Sequence, residues 1–205
     1  MTSCEQIHIL GTVGAGKSSL AKLLSVREGI TLFPEPVETN PYLEKFYENP
    51  KAFAFQMQIF LMHSRYKQAI EAQKLPRCIM DMSIYGNDIF ALLMNFNGDI
   101  SDEDYNTYRD LSNSLVALLE PPKLMVYLQC SPSVAVQRIM KRGRPSELKA
   151  PLEYWYNLNR SYEQWYEGYN LSKKIAINVD NIDFVAEEYE EDYILDMIME
   201  ALEDE

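Results

Sequence analysis

The chain has few cysteines, and they form no recognisable pattern. Among its 205 residues only Cys4, Cys78 and Cys130 are cysteines, and none belongs to a Cys-x-x-Cys pair or a His-rich stretch. An odd number of widely spaced cysteines argues against both a disulfide framework and a zinc site. We therefore expect a protein of a reducing cytoplasm.

Long apolar runs and a basic surplus are missing as well. No stretch approaches the roughly 20 apolar residues of a membrane helix, and the first residues lack the pattern of a secretory signal. The net charge is −12, but residues 183–205 hold 11 of the 31 acidic residues and none of the 19 basic ones. Residues 1–182 therefore carry 20 acidic against 19 basic residues. This balance favours neither nucleic acid nor a membrane as a partner.

Short apolar segments alternate with longer segments of helical periodicity, without a linker or repeat. The predicted strands are Gln6–Leu10, Ile30–Phe33, Arg77–Asp81, Leu124–Gln129 and Lys174–Val179. The predicted helices lie near Lys17–Glu28, Pro41–Tyr47, Lys51–Gln73, Gly86–Asn95, Asp102–Leu119, Ser133–Lys141, Leu152–Tyr169 and Asp183–Leu202. Strands that alternate with helices predict an α/β fold with a parallel sheet, here as a single domain over residues 1–205. Its acidic C-terminal helix is expected at about 183–205.

A phosphate-binding motif follows the first predicted strand and precedes a predicted helix. The sequence Gly11-Thr12-Val13-Gly14-Ala15-Gly16-Lys17-Ser18 satisfies G-x-x-x-x-G-K-[ST], and Ser19 follows it. Its glycines let backbone N–H groups surround phosphate oxygens, while Lys17 reaches the β- and γ-phosphates and Ser18 can ligate Mg²⁺. The motif predicts a nucleoside triphosphate with its metal but does not identify the acceptor.

Two carboxylates end predicted strands. Glu35 follows the second strand between Pro34 and Pro36, and Asp81 ends the third. Ligands bind outside the carboxyl ends of strands in open α/β sheets. Glu35 is therefore a candidate to accept a hydroxyl proton, and Asp81 a candidate Mg²⁺ ligand.

Four cations lie within seven residues at Arg138, Lys141, Arg142 and Arg144. They could form a solvated basic end of a helix, where cations are favourable near the C-terminus. Alternatively, they could belong to a lid over about 138–150 whose guanidinium groups bind triphosphate oxygens. The phosphate-binding motif Gly11–Ser18, or P-loop, lies elsewhere in residues 1–182, whose charges nearly balance. We therefore favour the lid.

Further motifs occur in order along nearly the whole chain. They are Glu35-Pro36-Val37, Phe46-Tyr47-Glu48-Asn49-Pro50, Phe55-Gln56-Met57-Gln58 with Arg65, Asp81-Met82-Ser83-Ile84-Tyr85, Arg138–Arg144 and Pro151-Leu152-Glu153-Tyr154. Together with the P-loop, they resemble the deoxyribonucleoside kinase family, most closely the bacterial deoxyadenosine/deoxyguanosine kinases. The resemblance implies a P-loop kinase fold with a five-stranded parallel sheet, a homodimer, and transfer of the ATP γ-phosphoryl group to a deoxynucleoside 5′-OH with Mg²⁺.

The resemblance also implies roles for individual residues. Glu35 would be the base at the 5′-OH, Tyr47 and Glu147 would hold the 3′-OH, and Gln58 would contact the nucleobase. Phe55 would help to sandwich the base, with Arg65 and Asn87 facing it. Lys17, Arg138 and Arg142 would act on the transferring phosphoryl group, with Arg144 on the nucleotide. Without the family, we would interpret Tyr47 and Phe55 as core residues and Gln58 as an exposed amide.

Two residues depart from the family pattern. Met82 stands where relatives carry an arginine near the 5′-oxygen, and Asn87 stands where they often carry an aspartate that faces the base. A thioether supplies neither charge nor donors. We favour a purine deoxynucleoside kinase and keep two alternatives, a nucleoside monophosphate kinase of the thymidylate kinase type and a weakly catalytic nucleotide-binding regulatory subunit.

Overall fold

A computed structural model describes residues 5–37, 39–145 and 147–203. Its centre is a sheet of five parallel strands in the order β2-β3-β1-β4-β5. The strands are β1 (Glu5–Gly11), β2 (Thr31–Phe33), β3 (Arg77–Asp81), β4 (Leu124–Gln129) and β5 (Lys173–Asn178). Each predicted strand is present to within one residue at either end, and the parallel five-stranded sheet is confirmed.

Helices cover both faces of the sheet. They are α1 (Lys17–Glu28), α2 (Leu43–Glu48), α3 (Pro50–Ala72), α4 (Asn87–Phe96), α5 (Asp102–Val116), α6 (Pro132–Arg142), α7 (Leu152–Gly168) and α8 (Glu188–Glu203). Short 3₁₀ turns precede α4 and α7, at Ile84–Gly86 and Glu147–Lys149.

The start of α8 was predicted five residues too early. The carbonyl of Asp183 accepts from the N–H groups of Ala186 and Glu187, and its side chain accepts from Ala186 at 3.3 Å. This separate turn buries Phe184 against the core before the helix begins. Residues 204 and 205 of the predicted acidic helix lie outside the described residues.

The central strands bury side chains on both faces, as parallel strands between helices do. Along β4, Val126 and Leu128 join a core cluster with α1 and α8, whereas Met125 and Tyr127 join a cluster with α4 and α7. The apolar face of α8 packs into the first cluster. In the described part of the chain, no helix combines the length and apolar character needed to cross a membrane.

The strand register gathers the predicted chemistry at one edge of the sheet. Central β1 ends at Gly11 and leads into the P-loop, while Asp81 at the end of β3 pairs with Ile9 of β1. Neighbouring β2 ends at Phe33, two residues before Glu35. The P-loop, Glu35 and Asp81 therefore meet where open α/β sheets bind ligands.

Candidate active site

A cavity of about 310 Å³ opens at this edge of the sheet. One end is charged and polar, lined by Lys17, Ser18, Ser19, Glu35, Arg142 and Arg144. The other end is mostly apolar, lined by Leu43, Phe46, Met57, Leu61, Phe90 and Met94, with Gln58 and Arg65 among them. An apolar pocket with a few convergent polar groups is typical of small-molecule sites.

The P-loop has the tight backbone that its glycines permit. Gly14 and Gly16 have φ of 88° and 100°, values that disfavour other residues. A Cβ atom on Gly14 would lie 2.6 Å from the carbonyl oxygen of Ala135 in α6. Lys17 Nζ donates to the Thr12 carbonyl at 3.1 Å from within the loop. Glycine at position 14 is thus required by both backbone conformation and the close approach of α6.

Burial of Lys17 lowers the pKa of its ammonium group, because desolvation penalises the charged form. The carboxylates of Glu35 and Asp81 oppose this effect by attraction. The two strand-end carboxylates therefore lie within electrostatic reach of the phosphate-binding lysine.

Arg65 links the two ends of the cavity. It is 1% exposed on α3, and its Nη2 donates to Glu35 Oε1 at 2.8 Å. Its Nη1 donates to Asn87 Oδ1 at 2.6 Å. A buried guanidinium needs such partners, because an unpaired buried charge is costly. The contact in turn fixes the direction of the Glu35 carboxylate.

A second ion-pair cluster lies at the mouth of the cavity. Glu147 accepts from Arg142 Nη2 at 2.6 Å and from Arg144 Nη1 at 3.4 Å. Tyr47 lines the same wall, and burial, with the negative charge of Glu147 as a further cause, raises its pKa to about 12. Its phenol is therefore a neutral hydrogen-bond donor at physiological pH.

The model of the deoxynucleoside kinase family matches residues 7–203 of this chain. The chain belongs to this family. The match confirms the resemblance that the ordered motifs indicated.

Curated relatives of this deoxynucleoside kinase cover nearly the whole chain. It is 34% identical to a deoxyguanosine kinase of Lactobacillus acidophilus, over 97% of this chain and 91% of the relative. It is 33% identical to a deoxyadenosine/deoxycytidine kinase of Bacillus subtilis, over 97% and 93%. A solved deoxyadenosine kinase from M. mycoides with bound dATP shares 34% identity at a TM-score of 0.84, covering 95% of this chain and 98% of that one. These matches support the P-loop kinase fold and phosphotransferase activity.

Most residues predicted for the site meet in the cavity of this kinase. Those that line it are Val13, Gly14, Gly16, Lys17, Ser18, Ser19, Glu35, Tyr47, Gln58, Arg65, Arg142, Arg144 and Glu147. Gly11, Thr12 and Ala15 complete the P-loop behind this lining, and the Thr12 carbonyl holds Lys17. Asn87 lies behind Arg65 rather than on the cavity wall.

Phe55 is not in the cavity. Its ring packs with the apolar cluster of α2 to α5. On α3 the residues that line the cavity are Met57, Gln58, Leu61 and Arg65, which recur at helical spacing. Aromatic surface in the cavity comes instead from Phe46, Tyr47, Phe90 and Tyr154. Helical spacing from Gln58 and Arg65 could have found Met57 and Leu61, whereas no sequence signal marks Phe90.

Arg138 is also away from the cavity. Its Nη2 donates to the carbonyl oxygens of Val179 at 2.6 Å and Ile182 at 3.2 Å. The predicted cationic cluster is therefore divided, since Arg142 and Arg144 face the cavity while Arg138 holds the loop between β5 and α8. These contacts support a positioning role for Arg138 rather than the predicted role at the transferring phosphoryl group.

Met82 adopts a conformation that is unusual for its residue type. Its φ is 78°, the one positive value for a residue other than glycine in the described ranges. The side chain is 1% exposed within an apolar cluster, and the Tyr162 hydroxyl contacts its sulfur at 3.6 Å. The thioether is therefore part of the packed apolar interior, and the cation next to Glu35 is Arg65.

A Mg²⁺ ion fits the residues present beside the P-loop. Burial raises the pKa of Asp81, with Lys17 and the Ser18 hydroxyl opposing the shift. Asp81 Oδ1 is buried without a hydrogen-bond partner among the described residues. Over the same ranges, no group of three or more His, Cys, Asp or Glu side chains could hold a metal. Mg²⁺ suits such a site because it takes one or two protein oxygens and completes its shell with phosphate and water.

Proposed function

We propose that this enzyme transfers the γ-phosphoryl group of ATP to the 5′-OH of a purine deoxynucleoside. One observation carries the proposal: Glu35, oriented by buried Arg65, lines the same cavity as Lys17 of the P-loop. A carboxylate near a phosphate-binding loop can align and deprotonate an acceptor hydroxyl. A cytoplasmic location stays a prediction from the cysteine pattern.

Positioning and electrostatics would supply the catalysis. P-loop N–H groups and Lys17 hold the β- and γ-phosphates, while Arg142 lies close enough to act on the charge of Lys17. Glu35 holds the acceptor hydroxyl and takes its proton as the bond from the 5′-oxygen to the γ-phosphorus forms and the bond from that phosphorus to the leaving ADP oxygen breaks. Ser18 and Asp81 would hold Mg²⁺, which would neutralise negative charge on the phosphoryl oxygens.

The opposite wall suits the sugar and base. Tyr47 can donate and Glu147 can accept at a sugar hydroxyl, and both line the cavity near its charged mouth. Phe46, Phe90 and Met57 offer apolar surface for a flat base, and the Gln58 carboxamide supplies both donor and acceptor groups. Among the relatives, deoxyguanosine and deoxyadenosine kinases predominate, which supports a purine acceptor.

The proposal is tested by a panel that separates nucleosides from their monophosphates. ADP release and the phosphorylated product are measured with ATP, Mg²⁺ and each of the four deoxynucleosides, then with dAMP and TMP. We expect deoxyadenosine or deoxyguanosine to be converted to the 5′-monophosphate, with no conversion of dAMP or TMP to diphosphates. Preferred turnover of a monophosphate would contradict the proposal and favour a monophosphate kinase. Nucleotide binding without turnover of any acceptor would favour a regulatory subunit.

We also propose that the enzyme is a homodimer, as the family resemblance implies. Large apolar side chains are exposed on two helices that pack together, at Leu92 and Phe96 of α4 and Leu152 and Tyr156 of α7. Phe96 is 79% exposed, although it lines a shallow cavity with the start of α7. Light scattering should give twice the 23.8 kDa chain mass, and Phe96→Glu should shift this mass towards that of one chain. A wild-type mass of one chain would contradict the dimer.

A further inference from the structure

A buried histidine lies behind the cavity and does not line it. His8 is on β1, is 1% exposed, and points to the same side of the sheet as Leu10, whose cluster includes side chains of α4 and α7. Burial lowers the pKa of His8 to about 3, because desolvation penalises the imidazolium ion. The ring is therefore neutral at physiological pH, with one nitrogen that donates and one that accepts.

Both nitrogens of this ring have partners. Nε2 of His8 lies 3.0 Å from Gln6 Oε1, and Nδ1 lies 2.8 Å from Ser83 Oγ. A carboxamide oxygen only accepts, so Nε2 carries the proton and Nδ1 accepts from the Ser83 hydroxyl. Gln6 and Ser83 are buried as well, so a hydroxyl that lost its acceptor there would be costly.

Ser83 belongs to the turn of residues 82–86, which leads from β3 to α4. Its Oγ accepts from the N–H of Tyr85 at 3.2 Å, and its carbonyl oxygen accepts from the N–H of Gly86 at 3.1 Å. The hydroxyl proton of Ser83 is the group that remains for His8. One side chain thus joins β1 to the backbone of the turn, as short hydroxyl side chains often do.

The backbone of this turn is held in an unfavourable conformation. Met82, next to Ser83, has φ of 78°, which costs energy in a residue other than glycine. A Cβ atom on Gly86 would lie 2.3 Å from Leu10 Cδ2, so the turn packs directly on β1. A strained conformation persists only where its surroundings determine it. The contact between His8 and Ser83 is one such determinant.

Two parts of the candidate active site lie at the ends of the turn. Asp81, the candidate Mg²⁺ ligand, directly precedes it, and Asn87 directly follows it. Asn87 accepts from Arg65, which in turn donates to Glu35. A change in the backbone of the turn would therefore move Asp81 at one end and weaken the support of Glu35 at the other.

We infer that His8 is a positioning residue of this kinase: through Ser83 it fixes the turn 82–86, and through that turn it sets the positions of Asp81 and Glu35. The inference rests on the proposed function and adds to it a residue of the interior that touches neither phosphate nor acceptor.

Two replacements of His8 separate its two contacts. The amide of His8→Asn lies where Nδ1 was and can still accept from Ser83, whereas the amide of His8→Gln lies where Nε2 was and can only replace the contact to Gln6. We expect His8→Gln to lose at least about tenfold in kcat, which corresponds to about 1.4 kcal/mol, and His8→Asn to keep most of its turnover. His63→Gln makes the same exchange at an exposed position of α3 and should leave kcat unchanged.

A merely structural role of His8 gives a different result. Both variants would then lose stability, and both would keep the wild-type kcat per folded molecule. That result, or equal losses of kcat in His8→Asn and His8→Gln, would overturn the inference.

Replacement of Ser83 removes the same contact from the other side. Ser83→Ala deletes one oxygen atom and also the acceptor of the Tyr85 N–H, so it should lower kcat at least as much as His8→Gln. The double variant should lose no more than Ser83→Ala alone, because the contact is already absent. Additive losses would contradict the assignment of the effect to this contact.

Two further readouts need no turnover, so they decide the inference even if the wild type phosphorylates no deoxynucleoside and the proposed function fails. Nitrogen NMR of the wild type should show the proton of His8 on Nε2, with the signals of His63 identified through His63→Gln. A proton on Nδ1 would overturn the inference, whether or not any His8 variant folds. Amide exchange of Tyr85 and Gly86 should accelerate in His8→Gln and not in His8→Asn, and equal protection in both variants would also overturn it.

Discussion

At the scale of single residues, Arg65 connects the charged end of the cavity to its apolar end. Its guanidinium is buried and bridges Glu35 and Asn87, which lie on different elements. A buried arginine that lost one of these partners would be strongly destabilising. The cation next to Glu35 is thus this arginine of α3, whereas the thioether of Met82 supplies neither charge nor donors.

Replacement of Met82 by arginine should destabilise the protein. Met82 is buried among Leu10, Ile89 and Tyr162, so a guanidinium there would lack both space and a complete set of partners. We expect Met82→Arg to lose roughly 2–4 kcal/mol of unfolding free energy, measured by thermal and denaturant unfolding. Met82→Leu keeps the volume and should lose less than about 1.5 kcal/mol.

The same Met82→Arg protein should not gain activity. Arg65 already donates to Glu35, so a second cation is not needed to orient that carboxylate. Stability equal to wild type together with at least tenfold higher kcat/KM, about 1.4 kcal/mol of transition-state stabilisation, would show that the pocket retains room for the family's arginine.

At the scale of elements, the P-loop depends on the close packing of α6. Gly14→Ala would place a Cβ atom 2.6 Å from the Ala135 carbonyl in addition to its strained φ of 88°. Gly98→Ala is a matched control, because Gly98 has φ of 74° and its added Cβ would meet no atom within 4 Å. We expect the control to lose about 1–2 kcal/mol from backbone strain alone. Gly14→Ala should lose more stability and most of its ATP affinity, measured by unfolding and calorimetry. Equal effects of the two changes would contradict the packing argument.

Helix α6 presents two arginines with different partners. Arg142 lines the cavity and contacts Glu147, whereas Arg138 donates to the carbonyls of Val179 and Ile182. Arg142→Ala should lower kcat/KM at least about tenfold with a small change in thermal midpoint, because it removes a cation from the phosphate end.

Arg138→Ala should mainly destabilise the loop before α8, since two carbonyl groups lose their donor. Its thermal midpoint and the hydrogen exchange of residues 179–187 report this loss. The contradicting outcome is a larger loss of turnover in Arg138→Ala than in Arg142→Ala, with unchanged stability. It would support a role of Arg138 in phosphoryl transfer and the predicted lid over 138–150. Ser146 of that lid lies outside the described residues.

At the scale of the whole molecule, the sequence predicts what depends on local patterns. Short apolar segments of the sequence predict every strand. Because the strands are parallel, their carboxyl ends bring Glu35 and Asp81 to the P-loop. What it could not predict depends on helix rotation and side-chain direction. Phe55 and Phe90 are equally plausible aromatics in the sequence, and only the packing of α3 and α4 places Phe90 in the cavity. The sequence likewise does not show that Arg142 faces the cavity while Arg138 does not, because Arg138 donates to carbonyl groups about 40 residues later in the chain.

The central claim is that Glu35 activates a deoxynucleoside 5′-OH opposite the P-loop. The most direct measurement is kcat for 5′-monophosphate formation by Glu35→Gln, beside calorimetric binding of a non-hydrolysable ATP analogue. Glu103→Gln makes the same exchange at an exposed position of α5 and serves as the control. The account predicts a loss of about 10²–10⁴-fold in kcat for Glu35→Gln, with nucleotide affinity unchanged and the control equal to wild type. Wild-type turnover by Glu35→Gln would contradict it.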